Sequence, residues 1–338
     1  MSDRRAAVIG AGSWGTAVAS LVAEKIPTTL WARRPELAEA IAETHENPDY
    51  LPGYPLPKTL NATSQLDEAL EDVDLVVMGV PSHGYRDVLS QARGLIKDDT
   101  PVISLTKGIE TDSLMRMTEV TSDVLADHDR TVIGVLTGPN LAREIMSGQP
   151  AASVVAVPAE EVGLDLQRVF MAPTLRVYTN TDVVGCESAG ALKNVMAIAA
   201  GMAAGLGYGH NSLATLLTRA LAEITRLGVA MGGSPLSFAG LAGMGDLIAT
   251  CMSTQSRNHR VGRALGEGQQ LDDIIAEMNM VAEGVKTTRA VLSLADRYRV
   301  DMPIASEVGK VLYEGRDPSH MVTSLMMREA KPELHGIE

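Results

Sequence analysis

The chain has 338 residues, of which 45% are apolar and 21% are charged, and its formal net charge is −13 at pH 7. These proportions are typical of a soluble globular protein of about two domains, and they exclude an intrinsically disordered chain. The negative charge argues against nucleic acid or an anionic membrane surface as the main partner, because both would be repelled.

The first half of the chain alternates short apolar runs with longer segments that permit helices. Such runs predict parallel strands that are buried on both faces of a doubly wound α/β sheet. The predicted strands are residues 6–10, 28–31, 74–80, 101–105, 131–136, 152–157 and 175–179.

A glycine motif directly follows the first predicted strand. Gly10, Gly12 and Gly15 stand in the order G-x-G-x-x-G, before a helix-forming segment at 16–25. Glycines in this order allow a tight turn, close approach of the backbone to a pyrophosphate, and close helix-to-strand packing. This context predicts a dinucleotide-binding, Rossmann-like domain, and a plain glycine turn is the alternative.

Two arginines follow the second predicted strand. The stretch LWARRPE contains Arg33 and Arg34 and has no acid before Glu36. In this fold an acid near that place binds the ribose hydroxyls of NAD, whereas an arginine accommodates the 2′-phosphate of NADP. NADP(H) is therefore favoured as the cofactor and NAD(H) remains possible, with a solvated arginine pair as the alternative.

Polar residues also follow the later strands, at the sheet edge where ligands bind in doubly wound folds. Lys107 follows the fourth predicted strand and is either a cation for an anionic substrate or a surface lysine. The tripeptide Gly138-Pro139-Asn140 follows the fifth, and it either caps a short helix or presents N–H groups to a ligand.

After about Asp182 the strand-like runs end, and apolar residues recur at helical spacing, as at 213–232 and 287–300. Glycine clusters between these segments mark helix ends. We therefore expect a dinucleotide-binding Rossmann-like domain at 1–182 and an all-α substrate and catalytic domain at 183–338.

Two stretches of the second half carry unusual charges. The stretch GCESAGALKNVMAIAAGMAAG is poor in polar groups but contains Lys193, and a buried ammonium needs a partner. The stretch GLAGMGDLIATCMSTQSRN contains Asp246 after a glycine-rich turn, and Arg257 near its end. Arginine beside amide and hydroxyl donors suits a phosphate or carboxylate, and a helix-terminal loop with a solvated arginine is the alternative.

Other site chemistries and other compartments have little support in the sequence. We find no spacing typical of a Ser-His-Asp or Cys-His site or of metal ligands, so no metal is expected. Cys186 and Cys251 cannot form a disulfide framework and predict reduced, packed thiols. Polar residues interrupt the apolar stretch after Arg4 and Arg5, and no segment approaches the ~18 consecutive apolar residues of a membrane span. We expect a cytoplasmic protein without membrane insertion.

Taken together, ten short stretches resemble those of one known family. They are GAGSWGTA, LWAR, NPDYLPG, GVPS, KGIE, TGPNLAREI, GALKNVMAIAAG, GLAGMGDLIATC, SRN and EGVKT, and they span about residues 6–325. In this order they are similar to NAD(P)-dependent glycerol-3-phosphate dehydrogenases. The resemblance implies a homodimeric oxidoreductase that interconverts dihydroxyacetone phosphate and sn-glycerol 3-phosphate and feeds glycerophospholipid synthesis.

The resemblance also implies roles for individual residues. Lys193 matches the lysine that exchanges a proton with the substrate oxygen, Asp246 matches the acid of the same site, and Thr250 lies in the active-site turn. The implied catalytic residues are Lys193, Asp246, Lys107 and Thr250, and the implied substrate-binding residues are Lys107, Gly138, Asn140, Lys193, Asp246, Ser256, Arg257 and Asn258. The implied cofactor-binding residues are Gly10, Gly12, Ser13, Trp14, Gly15, Arg33, Arg34, Tyr50, Lys107, Ala142, Arg257, Val281 and Glu283. Many family members have serine or threonine where this chain has Asn140, so an amide stands there in place of a hydroxyl.

Two alternatives share parts of this pattern. A 6-phosphogluconate or β-hydroxyacid-type dehydrogenase has the same two-domain plan and a lysine base, but acts on an acid substrate. A sensor that binds NADP(H) without turnover explains the glycine motif but leaves Lys193, Asp246 and Arg257 without a purpose. In the main interpretation the lysine is a proton donor, and Asp246 fixes its orientation.

Overall fold

The computed structural model describes residues 4–278, 282–330 and 332–333, and these form two compact units. The first unit takes the described residues of Met1–Thr106 and Met117–Val183, and the second takes those of Lys107–Arg116 and Val184–Glu338. The predicted boundary after residue 182 had assigned 107–116 to the first domain. This segment groups with the second unit because Ile109 lies in the helical core and Arg116 forms an ion pair with Glu187.

The first unit alternates strands and helices. Its strands are β1 Ala6–Ile9, β2 Thr28–Trp31, β3 Glu46–Asn47, β4 Leu51–Pro55, β5 Leu60–Thr63, β6 Leu75–Met78, β7 Val102–Ser104, β8 Ile133–Thr137, β9 Ala151–Ala156 and β10 Leu175–Asn180. Its helices are α1 Ser13–Ala23, α2 Pro35–Thr44, α3 Leu66–Ala69, α4 Ser82–Ala92, α5 Met117–Val124, α6 Ala142–Met146 and α7 Glu160–Phe170, with a 3-10 turn at Arg130–Val132. All seven predicted strands are present.

Eight of these strands form one sheet in the order β10-β9-β8-β7-β6-β1-β2-β5. In its centre Val8 of β1 lies between Leu30 of β2 and Val77 of β6, and all three side chains are fully buried. The doubly wound prediction is confirmed, with one difference: β8 and β9 are antiparallel. The sequence missed β5 because it is an edge strand of mostly polar residues, LNAT.

In the described residues of the second unit the regular elements are helices, as predicted, and one isolated bridge joins Ile109 and Arg116. Its helices are α8 Val183–Gly205, α9 His210–Ala230, α10 Pro235–Ala239, α11 Asp246–Met252, α12 Arg257–Gly266, α13 Leu271–Glu277, α14 Glu283–Tyr298, α15 Pro303–Glu314 and α16 Pro318–Met326. A π-helical turn at Leu241–Gly245 leads into α11.

Helix α8 forms the centre of this unit. Among the described residues it is the helix that is long and apolar enough to cross a membrane by length and composition, yet 94% of its most apolar window is buried inside the protein. Its small side chains permit close packing on α12: a Cβ atom at Gly201 would lie 2.1 Å from the His259 carbonyl oxygen, and one at Gly262 would lie 2.0 Å from that of Ile198. This contact brings the first turn of α12 beside the C-terminal half of α8.

Candidate active site

Lys193 lies on α8 in a buried polar cluster. Only 3% of the residue is exposed, and its Nζ atom donates to Thr250 Oγ1 at 2.6 Å and to Asn194 Oδ1 at 3.1 Å. The same Nζ atom lies 3.2 Å from Asp246 Oδ1. An ammonium has three N–H groups, so these three acceptors satisfy the buried charge. The sequence predicted that this lysine needs a partner, and the structure supplies three.

Asp246, the first residue of α11, is shared between two lysines. Lys107 Nζ donates to Asp246 Oδ2 at 2.7 Å, while Oδ1 faces Lys193 and accepts from Thr250 Oγ1 at 3.0 Å. The carboxylate is only 2% exposed. Two ammonium groups around one carboxylate leave a net positive charge when both lysines are protonated, which suits an anionic group or a polarised carbonyl oxygen.

The segment that carries Lys107 is fixed to α8 at two points. The Lys107 carbonyl oxygen accepts from Asn194 Nδ2 at 2.9 Å, and Arg116 forms a buried ion pair with Glu187 at 2.7 Å. Burial lowers the pKa of Lys107 to about 8, and nearby Lys193 adds to this shift, although attraction to Asp246 opposes it. Burial therefore outweighs the attraction of the carboxylate at this lysine. Asn194 was not assigned a role from the sequence, although it lies in the LKN stretch.

The first turn of α12 lies beside this cluster in the same unit. Ser256 caps the helix, since its Oγ atom accepts from the His259 N–H at 3.2 Å, and Arg257 is exposed. Asn258 Oδ1 accepts from the Gly284 N–H at 2.9 Å, which leaves its Nδ2 group as a donor. A Cβ atom at Gly284 would lie 2.6 Å from the Asn194 carbonyl oxygen, so Asn258 and Asn194 flank one glycine. A helix N-terminus with an arginine and an amide is suited to a phosphate.

The glycine turn between β1 and α1 has the shape that a dinucleotide requires. Gly10 has φ +119°, and a Cβ atom there would lie 2.8 Å from the Gly79 backbone. A Cβ atom at Gly15 would lie 2.0 Å from the Gly10 carbonyl oxygen, which enforces close packing of α1 on the turn. A Cβ atom at Gly12 would meet nothing within 4 Å, so the space beside the α1 N-terminus is open. These residues fit a pyrophosphate.

Asn47 fixes the chain that borders this turn. It is fully buried, and its Nδ2 atom donates to the Ala11 carbonyl oxygen at 2.9 Å and to Thr16 Oγ1 at 2.8 Å. Its Oδ1 atom accepts from the Tyr50 N–H at 3.1 Å, and Ser13 Oγ donates to the Tyr50 carbonyl oxygen at 3.0 Å. The structure thus brings the predicted residues Ser13 and Tyr50 together. The sequence contained Asn47 in the stretch NPDYLPG but offered no sign of its role.

The two arginines after β2 are exposed, which fits both the NADP interpretation and a solvated arginine pair. Arg34 caps α2 and forms an ion pair with Asp49. The end of β2 adjoins the glycine turn, because the Trp31 carbonyl oxygen accepts from the Gly10 N–H at 3.0 Å.

The other predicted residues are distributed over both units. In the first unit, Trp14 follows the glycine turn, Ala142 begins α6 beside α1, and Gly138 and Asn140 follow β8. Gly138 has φ +128°, and a Cβ atom there would lie 3.1 Å from Ser153 Cα, so a glycine is needed. In the second unit are Lys107, Arg257 and Glu283, whereas Val281 lies outside the described residues.

The described residues contain no group of three or more His, Cys, Asp or Glu side chains arranged to hold a metal ion. Cys186 and Cys251 are both free and buried. Burial raises the pKa of the Cys251 thiol to about 12. A thiol with that pKa stays protonated, so Cys251 is a packed side chain of the helical core rather than a nucleophile.

Comparison with family models accounts for both units. Residues 5–163 match the model described as the N-terminus of NAD-dependent glycerol-3-phosphate dehydrogenase, and residues 182–323 match the model of its C-terminus. The chain belongs to the NAD-dependent glycerol-3-phosphate dehydrogenase family. The resemblance of the ten sequence stretches is therefore confirmed.

Individual family members are similar over nearly their whole length. A protein of Sphingopyxis alaskensis named glycerol-3-phosphate dehydrogenase (NAD(P)+) 2 is 54% identical, over 97% of this chain and 98% of the relative. A glycerol-3-phosphate dehydrogenase (NAD(P)+) of Streptomyces coelicolor is 51% identical over the same shares. The crystal structure of glycerol-3-phosphate dehydrogenase from Coxiella burnetii superposes with a TM-score of 0.91 at 36% identity, covering 96% of this chain and 99% of that one. Family membership favours an oxidoreductase over the sensor alternative.

Proposed function

We propose that this protein is an NAD(P)-dependent glycerol-3-phosphate dehydrogenase that interconverts dihydroxyacetone phosphate and sn-glycerol 3-phosphate and supplies glycerophospholipid synthesis. The observation that carries the proposal is the buried cluster in which Lys107 and Lys193 share the Asp246 carboxylate. Such a cluster provides a proton donor and positive charge at one place, which reduction of a ketone requires.

The substrate phosphate binds at the first turn of α12 in this proposal. Arg257 forms paired hydrogen bonds to phosphate oxygens, and Asn258 Nδ2 donates to a third. Ser256 caps the turn, and the N–H groups of the helix N-terminus provide a positive electrostatic potential that favours the phosphate. Because the phosphate is remote from C2, its binding free energy serves to orient the reacting carbonyl. Gly138 and Asn140 are further proposed substrate-binding residues, on the strength of the sequence resemblance.

Lys193 exchanges the proton with the substrate oxygen at C2. All three of its N–H groups have acceptors in the structure, so the substrate oxygen replaces one of the two longer contacts, Asn194 at 3.1 Å or Asp246 at 3.2 Å. Thr250, at 2.6 Å, keeps the Nζ atom in place during this exchange. When bound, the nicotinamide supplies or accepts the hydride at C2. Lys107 stabilises the negative charge that develops on the oxygen.

The cofactor is held by the glycine turn, with Gly12 against the pyrophosphate and Arg33 and Arg34 near the adenosine ribose. NADP(H) is preferred and NAD(H) is also used, and the exposed arginines support this order. The family resemblance further supports a cytoplasmic homodimer without membrane insertion, and the net charge of −13 argues against anionic surfaces.

The first test is steady-state turnover of purified protein. Adding dihydroxyacetone phosphate to the protein and NADPH or NADH should lead to oxidation of the cofactor. The measurement is the decrease in absorbance of the reduced nicotinamide. Reverse assays with NADP+ and sn-glycerol 3-phosphate, 6-phosphogluconate or a β-hydroxy acid separate the dehydrogenase classes. Faster turnover of either acid would contradict the substrate assignment, and cofactor binding without any turnover would indicate the sensor.

A pH profile tests the role of Lys107. Its pKa of about 8 means that the side chain is cationic below pH 8 and neutral above it. We expect kcat/KM for dihydroxyacetone phosphate to fall as the pH rises through about 8, with the loss of one proton, because kcat/KM reports the free enzyme. The fall in kcat should lie at higher pH, since a bound phosphate favours the charged lysine.

Lys107→Arg is the control for this profile, because arginine keeps its charge over the whole range. Its kcat/KM should be lower overall but lack the fall near pH 8. A variant that retains the fall would assign the titration to another group.

A further inference from the structure

An exposed ion pair lies near the end of β2. Arg34 Nη2 donates to Asp49 Oδ2, and each side chain is 44% exposed. The two residues are 15 positions apart in the sequence. A carboxylate is therefore present near this strand end, although the only charged residues at positions 32–35, directly after β2, are arginines.

Hydrogen bonds on both sides of Asp49 hold it in place. Asn47 is bonded to the Ala11 carbonyl oxygen and to Thr16, and Tyr50 is bonded to Asn47 and to Ser13. The segment 47–50 is thus attached to the glycine turn before and after Asp49. The backbone of Asp49 is therefore held beside the glycine turn rather than at the tip of a free loop, and its carboxylate is held by Arg34.

The end of β2 is where a Rossmann-like fold distinguishes the two nicotinamide cofactors. A carboxylate there accepts hydrogen bonds from the ribose hydroxyls of NAD, and an arginine binds the 2′-phosphate of NADP. In this chain both groups are present and bonded to each other. A 2′-phosphate therefore competes with Asp49 for Arg34 and is repelled by the carboxylate, whereas a 2′-hydroxyl is not repelled.

We propose that Asp49 determines the balance between NADP(H) and NAD(H), by holding Arg34 and by presenting its carboxylate to the adenosine ribose. This inference rests on the proposed function. Loss of the carboxylate releases Arg34 for the 2′-phosphate and removes an acceptor of the 2′-hydroxyl. Asp49 thus limits the preference for NADP(H) that Arg33 and Arg34 would otherwise give.

The test is direct binding of NADP+ and NAD+ to Asp49→Asn by titration calorimetry, which needs no turnover. We expect the Kd of NADP+ to fall about tenfold and the Kd of NAD+ to rise about threefold, as for one exposed charge beside a phosphate. The gain for NADP+ should shrink at high salt, because exposed charges are screened. Asp49→Asn combined with Arg34→Gln should lose the gain, because the freed arginine is absent.

Asp123→Asn is the matched control. Asp123 is also an exposed carboxylate of the first unit, paired with Arg86 at 2.5 Å, and its loss should change neither Kd. If Asp49→Asn left the ratio of the two Kd values unchanged while the wild type bound both cofactors, this inference alone would be overturned. A wild type that bound neither cofactor would overturn the proposed function as well.

Discussion

Lys193→Met is expected to lower kcat about 10³-fold, within the range that general acid–base catalysis contributes. Methionine fills a similar volume but cannot donate a proton to the C2 oxygen. The variant should fold, because Asp246 keeps its contact with Lys107 at 2.7 Å. Because the glycine turn lies in the first unit, the Kd of NADPH, measured by calorimetry, should change less than threefold.

The control for this variant is Lys310→Met. Lys310 also donates to a buried carboxylate of the second unit, Glu307 at 2.7 Å, but lies on α15, outside the cluster of Lys107, Lys193 and Asp246. Its kcat should stay within twofold of the wild type. Turnover by Lys193→Met at a similar level would contradict the assignment of the proton donor.

Asp246→Asn is expected to have the second-largest effect, because it removes the carboxylate that two lysines share. Breaking a buried ion pair by removing one partner costs about 3–5 kcal/mol of stability. Attraction to Asp246 raises the pKa of Lys107, so its loss moves that pKa below 8. The fall in kcat/KM should therefore move to lower pH, and kcat/KM at neutral pH should drop about 10²-fold.

The stability of Asp246→Asn should also depend on pH in a defined direction. A buried lysine whose pKa is lowered in the folded state reduces the free energy of unfolding at every pH at which the unfolded chain carries that lysine charged. This is the range below its ordinary pKa of 10.5. The free energy of unfolding contributed by Lys107 therefore rises as the pH increases from its lowered pKa to 10.5, its ordinary value. Urea unfolding at several pH values should show the deficit of the variant shrinking as the pH rises to about 8, because Lys107 then loses its proton in the variant but not yet in the wild type. Above about pH 8 the stabilities of both proteins should rise with the same slope up to pH 10.5.

Glu307→Gln separates loss of stability from loss of chemistry. Glu307 is another buried carboxylate of the second unit with two cationic partners, Lys310 and Arg316. Its replacement should also reduce stability but leave the fall in kcat/KM near pH 8. If both variants moved the fall equally, its position would reflect general loosening and not the charge of Asp246.

Much of this architecture could be predicted from local patterns. The strands β1 and β6 near the centre of the sheet are continuous apolar runs, and the helices of the second half repeat apolar residues at helical spacing. The glycine turn was identifiable because its spacing directly reflects backbone geometry. By contrast, β5 is polar and lies at an edge, and the segment 107–116 joins the second unit through contacts with residues far along the chain.

The sequence by itself determined the two-part fold, the dinucleotide turn and the types of residue at the candidate site. Only the tertiary structure decided which charges meet. Lys107 and Asp246 are 139 residues apart, and Lys193 and Thr250 are 57 apart. Periodicity describes contacts within one helix or strand, whereas a pKa or an ion pair depends on burial and on distances between elements. For this reason the sequence showed that the lysine in GALKN needs a partner. It did not show that this lysine shares one carboxylate with Lys107.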